Sequence, residues 1–193
     1  MDAELRTVTA RLRREAEASP EHAEQYEKLV ATGDLDELAE VLVSPGQPLW
    51  ARELAAVRLG VAGDRRAFES LVLLLNHRDP PRCAAAAHAL ARLGDPRTAR
   101  AAAALATNEL RVAYALHPVR LLTELRAPES APALITTLER RLVPHDPFGK
   151  IALACVEGLG ALGDARARPV LTAARNHPRL AAAAAAALAR LPD

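Results

Sequence analysis

The sequence predicts an all-α chain built as an array of stacked helix pairs. Three observations carry that expectation. A six-residue tail, Leu-x-x-x-Gly-Asp or a worn form of it, recurs with leading leucines at Leu29, Leu59, Leu90, Leu122, Leu159 and Leu188, in steps of 30, 31, 32, 37 and 29 residues. Half of the residues are apolar but only 3% are aromatic. Alanine and leucine must therefore fill the core, which suits close helix packing and suits neither a β-sandwich nor a barrel. No alternating strand pattern competes with the helical period. A period near thirty residues marks a helical unit that cannot bury its apolar face alone and buries it against its neighbours.

The tail has a mechanism. Glycine supplies the left-handed residue that ends one helix, and aspartate caps the start of the next. Gly33-Asp34, Gly63-Asp64, Gly94-Asp95 and Gly163-Asp164 keep this pair, whereas Arg126-Ala127 and Pro192-Asp193 stand in its place.

In chain order, residues 1–19 form an N-terminal capping helix. Its helical stretch, 3–18, has Leu5, Val8, Leu12 and Ala16 inward and Arg11, Arg13 and Arg14 on the polar side. Ser19 caps a helix that Pro20 opens. Residues 20–48 make a degenerate repeat, with Ala23, Tyr26, Leu29 and Val30 inward on the helix that stops at Gly33, and Leu38, Val41 and Leu42 inward over 35–43. Residues 44–48, Ser-Pro-Gly-Gln-Pro, are a loop. Four repeats follow, 49–79, 80–108, 109–147 and 148–178, with helices expected over 49–61 and 65–77, 80–93 and 96–107, 109–125 and 128–143, and 148–162 and 165–176. A helix over 178–191 leaves residues 179–193 as a terminal half-repeat. Counted from the turn aspartate, Val41, Leu71, Ala102, Leu134 and Leu171 align seven residues on, and Leu42, Val72, Ala103, Ile135 and Thr172 eight residues on; both sets are expected inward. Seven consecutive alanines, 181–187, make a poor end cap, expected to be covered by another chain or by further sequence, or else to stand as a small alanine-faced cap.

Residues 86–99 (Ala-Ala-His-Ala-Leu-Ala-Arg-Leu-Gly-Asp-Pro-Arg-Thr-Ala) and 159–171 (Leu-Gly-Ala-Leu-Gly-Asp-Ala-Arg-Ala-Arg-Pro-Val-Leu) resemble HEAT repeats, most of all the short bacterial variety first noted in phycocyanobilin lyases. Pro132 and Pro169 match a proline common in the second helix of that family. The resemblance spans about residues 20–193. It implies a right-handed α-solenoid of about 11–12 helices in a single repeat domain, 1–193. Family members include scaffolds, adaptors, chromophore lyases, metal hydroxylases and DNA glycosylases, so the resemblance does not by itself assign an activity.

The residues that would carry chemistry are sparse. His22, His77, His88, His117, His145 and His177 form neither HxxxH nor HExxH, and none is followed by the glutamate of the HEAT-type hydroxylases, so no metal and no cofactor are expected. Cys83 and Cys155 form no CxxC and fall at alanine-like helical positions, as core thiols in a reducing compartment do. The start of the chain is charged from Asp2 onward, without an apolar signal segment. The longest apolar run, 180–189, is too short for a bilayer. A cytoplasmic protein with no membrane contact is expected. Trp50, Tyr26, Tyr114, Phe68 and Phe148 are scattered rather than gathered around a base-binding pocket.

Charge and irregularity point to where binding would occur. Residues 1–76 hold 14 acids and 9 bases, whereas residues 77–193 hold 10 acids and 16 bases, so the C-terminal half suits an acidic partner. The second helices are expected to line a concave face carrying Arg66, Glu69, Arg97, Arg100, Glu129, Arg140, Arg166 and Arg168. The repeat 109–147 departs most from the pattern. It has Arg126-Ala127 in its tail, His117-Pro118 inside its first helix, where proline breaks a backbone bond, and inserted residues at 143–149. The expected partner contacts are therefore Arg66, Arg97, Arg100, Arg126, Arg140, Arg166, Arg168, His117, His145 and Phe148. The expected function is a non-catalytic protein-binding scaffold or adaptor. The alternative is binding of nucleic acid or another polyanion, with a HEAT-like DNA glycosylase or lyase behind both.

Overall fold

The structure, a computed structural model, describes residues 3–192. Asp2, at the charged start of the chain, and Asp193, at the end of the sixth tail, lie outside the described residues. All regular structure among the described residues is helical. The helices are α1 (Ala3–Ala16), α2 (Pro20–Ala31), α3 (Leu35–Val43), α4 (Leu49–Val61), α5 (Phe68–Leu75), α6 (Pro80–Leu93), α7 (Thr98–Ala106), α8 (Leu116–Leu125), α9 (Ser130–Glu139), α10 (Gly149–Leu162), α11 (Arg168–Ala174) and α12 (Ala181–Leu188). Short 3-10 segments at Arg65–Ala67, Glu109–Tyr114 and Ala165–Ala167 lead into α5, α8 and α11. The chain divides into two compact units, Met1–Thr98 and Ala99–Asp193, and the division falls inside the segment 80–108 rather than between repeats.

In the first unit, α4 is central and packs on α1, α3, α5 and α6, while α1 also reaches α6. In the second, α10 is central and packs on α8, α9 and α12, with α11 against α12 and α9. Fully buried leucines fill both cores, among them Leu54, Leu59 and Leu71 in the first and Leu122, Leu134 and Leu159 in the second. The first helices meet at small residues. A Cβ on Gly60 would lie 3.0 Å from Ala89 Cβ, and one on Gly160 2.8 Å from Ala187 Cα. Gly158 likewise faces Thr123. In each pair one residue directly follows a tail leucine (Leu59, Leu159 or Leu122) and the other directly precedes the next one (Leu90, Leu188 or Leu159). The tail therefore sets helix spacing as well as helix ends.

The turn mechanism holds in three tails. Gly63, Gly94 and Gly163 have φ of 80°, 64° and 70°. At the first, the N–H of Asp64 donates to Leu59 O at 2.9 Å and that of Gly63 to Gly60 O at 3.1 Å, the paired bonds that close a helix C-terminus. Asp64, Asp95 and Asp164 each accept from the backbone N–H two residues on, at 3.0, 2.9 and 2.9 Å. Gly33 is the correction: its φ is not positive. Helix α2 ends instead at extended Thr32, and its last carbonyls are taken by Arg58, which donates to Leu29 O and Thr32 O at 2.5 and 2.7 Å.

The worn tail Arg126-Ala127 keeps the backbone of the intact ones. Arg126 is left-handed, φ 50° and ψ 32°, and its N–H donates to Leu122 O at 3.3 Å, as Gly163 does to Leu159 O at 3.1 Å. Fully buried Ser130 replaces the aspartate: its hydroxyl accepts from Ala127 N at 3.2 Å and donates to Leu122 O at 2.6 Å. A side chain in this conformation costs about 1–2 kcal/mol, against about 0.5–1 kcal/mol for the unfolded-state freedom of glycine. Arg126→Gly is therefore expected to raise stability by about 0.5–1 kcal/mol, read as a higher urea midpoint with an unchanged slope.

Two further expectations are corrected. The helix expected over 109–125 is broken: Arg111 leaves helical geometry at φ −127°, and α8 begins only at Leu116. Pro118 thus sits in a first turn, where the N–H it lacks has no helical partner to lose. Of the two aligned sets, the first is the core register in the four later pairs, whereas in α3 it is Leu42 of the second set that is buried and Val41 that is half-exposed. Leu71, Ala102, Leu134 and Leu171 are buried, whereas Val72, Ala103 and Ile135 are half-exposed and Thr172 is exposed.

Candidate functional site

The arginines expected to meet a partner are mostly engaged within the chain. Arg66, Arg97 and Arg166 fold back on the turn aspartates two residues before them, with Nε to Asp64, Asp95 and Asp164 Oδ1 at 3.0 Å in each case. These guanidiniums hold all three carboxyls below the usual carboxylate range. Arg66 also reaches Asp36 at 2.7 Å. Arg97 reaches Glu69 at 3.2 Å and stacks 3.9 Å above the Phe68 ring. Arg140 pairs with Glu109 at 3.2 Å and donates to Thr107 O at 2.7 Å. Arg168 donates to Pro192 O at 2.5 Å. Arg66 and Arg97 thus tie one helix pair to the acid of the pair before it, and Arg140 reaches back to the Thr107 carbonyl of the pair before it. Arg100 and Arg126 are exposed and form no ion pair among the described residues.

The irregular repeat brings three of the expected residues to one neighbourhood. Arg140 and Phe148 line a groove of about 600 Å³ together with Leu110, Val112 and Arg141. Asn108 positions Leu110 by accepting its N–H at 3.0 Å, and the 3-10 segment then pushes the leucine out to 93% exposure. Arg141 lies over the Phe148 ring, 5.8 Å from its centroid, and pairs with Asp146 at 3.2 Å. On the other side of the 143–149 insertion, His145 lines a cavity of about 520 Å³ with Leu142, Pro144, Asn176, His177 and Arg179. His145 is left-handed, φ 63°, so the chain bends sharply over this cavity. His117 stands apart in the first turn of α8, half-buried, its basicity lowered by that burial and by Arg120.

Several residues here were not singled out by sequence reasoning. Leu110 looked like one more apolar residue of a helix, and only the break at Arg111 exposes it. Asn76-His77 and Asn176-His177 recur at corresponding helix ends of the sequence, and the structure shows the cause. His77 Nδ1 accepts the N–H of Asp79 at 3.0 Å, and His177 Nδ1 that of Arg179 at 3.3 Å, so each imidazole holds the turn that enters the next helix. Both cysteines are buried. Cys83 donates to His77 O at 2.8 Å, and burial pushes the Cys155 thiol up to about 12, far from the thiolate a nucleophile needs at neutral pH.

Among the described residues, no group of three or more His, Cys, Asp or Glu is arranged to hold a metal ion, and no helix is long and apolar enough to cross a membrane. No family model and no curated protein matches the chain.

Proposed function

We propose that this chain is a non-catalytic protein-binding scaffold or adaptor of the cytoplasm, whose helix pairs stack as a HEAT-like right-handed solenoid and whose irregular repeat carries the partner surface. The small-residue seams at Gly60/Ala89, Thr123/Gly158 and Gly160/Ala187 and the arginine ties between successive pairs, from Arg66 to Asp36, Arg97 to Glu69 and Arg140 to the Thr107 carbonyl, support the stacked-repeat reading. One observation carries the binding reading: Leu110 is 93% exposed in a groove bordered by Arg140, Arg141 and Phe148. An aromatic and two arginines around an apolar anchor point are the residue types that dominate protein–protein binding energy. A partner segment would cover Leu110 with an apolar side chain and pack against the Phe148 ring and the arginine stems, the Arg140 and Arg141 head groups staying on Glu109 and Asp146. The polyanion alternative has less to work with, because Arg66, Arg97, Arg140 and Arg166 already hold carboxylates of the chain.

The test is affinity capture from native cytoplasm with wild type, Leu110→Asp and, as a control on another surface, Leu73→Asp, which replaces a leucine 73% exposed on α5. A partner bound by wild type and Leu73→Asp should be depleted at least tenfold by Leu110→Asp. Equal recovery from all three sinks this surface. Nucleic-acid binding that falls steeply with salt would favour the alternative instead.

A further inference from the structure

We propose that the cavity beneath the 143–149 insertion binds an organic carboxylate, that is, a single carboxylate on a short apolar body. This site lies on the other side of the insertion from the Leu110 groove and stands without the scaffold reading. Its volume of about 520 Å³ is in the range of small-ligand sites. Its polar lining is rich in N–H donors. Arg179 is exposed and has no ion-pair partner among the described residues, so its guanidinium is open to a planar two-oxygen acceptor. His177 spends Nδ1 on the backbone N–H of Arg179, which places the proton of its neutral ring on Nε2 and makes that atom a donor. Asn176 and His145 add an amide and a second imidazole to the lining.

The one acid in the lining, Asp146, has its charge countered by Arg141. Asp146 is turned inward, its side chain only 4% exposed, with Oδ1 on Arg141 at 3.2 Å. Its Oδ2 is shut off from solvent and has no hydrogen-bond partner, so neither oxygen is presented to an incoming cation. Leu142, Pro144 and Pro178 supply apolar wall, which a bare inorganic anion would leave uncovered. The two departures from the repeat that build the cavity, the insertion and left-handed His145, thereby acquire a common purpose.

The experiment titrates the intact chain with hexanoate, hexanamide, hexylamine and inorganic phosphate, following the His145 and His177 imidazole resonances. Saturable shifts of both rings with hexanoate are expected, with at least tenfold weaker binding of the other three. Arg179→Ala should weaken hexanoate at least tenfold, with Arg179→Lys in between. Asn176→Ala, which leaves the His177 turn intact, should weaken it by a smaller factor. A short peptide ending in leucine with a free carboxylate, set against its C-terminal amide, separates the sources. A carboxylate peptide that outbinds hexanoate assigns a partner C-terminus, and the reverse assigns a free acid. No saturable shift with hexanoate, equal binding of phosphate or hexylamine, or indifference to Arg179→Ala overturns the proposal.

Discussion

Replacing Glu53 with alanine is expected to cost about 3–5 kcal/mol, the range for breaking a buried ion pair. Glu53 lies on α4 with its side chain fully out of solvent. It accepts from Arg11 on α1 and from Arg82 on α6. Glu15 closes the ring, 2.9 Å from Arg11 and 2.8 Å from Arg82, and Arg82 also reaches Asp79 at 3.3 Å. Both guanidiniums are largely buried, with side chains 16% and 11% exposed. Removing Glu53 leaves two desolvated cations facing each other, with only the partly exposed Glu15 and, on Arg82, Asp79 to balance them. The loss should appear in urea unfolding. Hydrogen exchange should show α1 losing protection before α4, because the ring is what fastens α1 to the helices behind it. A cost below about 1 kcal/mol, the range of an exposed pair, would mean that the ring is hydrated and contributes little.

Gly160→Val is expected to cost about 3 kcal/mol, at the upper end of ordinary overpacking. A Cβ at this position meets Ala187 Cα and Cβ, both at 2.8 Å. The first of these is backbone and cannot rotate away, so α12 has to move off α10. Valine gains slightly over glycine in helix propensity, by less than about 0.5 kcal/mol, which does not offset the displacement. Gly60→Ala should be milder. Its nearest neighbour, Leu71 Cδ1 at 2.7 Å, is the end of a flexible side chain. Gly33→Ala, where nothing lies within 4 Å and φ is not positive, is the control and should be near neutral. If Gly160→Val and Gly33→Ala shift the urea midpoint alike, the seam does not set the spacing of the first helices.

The same seam changes the reading of the alanine-rich end. Ala184 and Ala187 are buried against the chain's own helices, while Ala182, Ala185 and Ala186 face out. The small side chains of the run are what let α12 approach Gly160.

What could be read from the residues alone depended on how local the cause was. Helices α3, α4 and α6 begin and end where their caps and prolines place them, because a cap is decided within four or five residues. The left-handed glycines at 63, 94 and 163 were legible for the same reason. Gly33 was misread because a distant side chain, Arg58, satisfies the carbonyls that the turn would otherwise have to cover. Arg126 was read as an abandoned tail because its identity suggested no left-handed turn. Backbone bonding to Leu122 and the hydroxyl of Ser130 hold it in one.

The candidate site was legible as a neighbourhood and not as a set of contacts. Insertion at 143–149 and the proline at 118 marked the second unit's irregular stretch, and both hollows do lie beside that insertion. The arginines were chosen for their charge, and charge cannot say whether a partner already exists: Arg66, Arg97 and Arg166 are claimed by carboxylates two residues away. Arg11 looked like a solvated residue of α1 because its partner sits 42 positions along the chain.

By itself, then, the sequence determined the helical class and the ends of helices closed by their own caps, both consequences of interactions within about one helical turn. Only the tertiary structure decided which charges are spent inside the chain, where Leu110 breaks out of its helix, and how the insertion roofs a cavity. Some of those outcomes are local but not signalled by residue type, as with the aspartates two residues before Arg66, Arg97 and Arg166, and others need residues about thirty or more positions apart to meet across helix faces. The spacing of those faces is set by what the small residues of the seam allow.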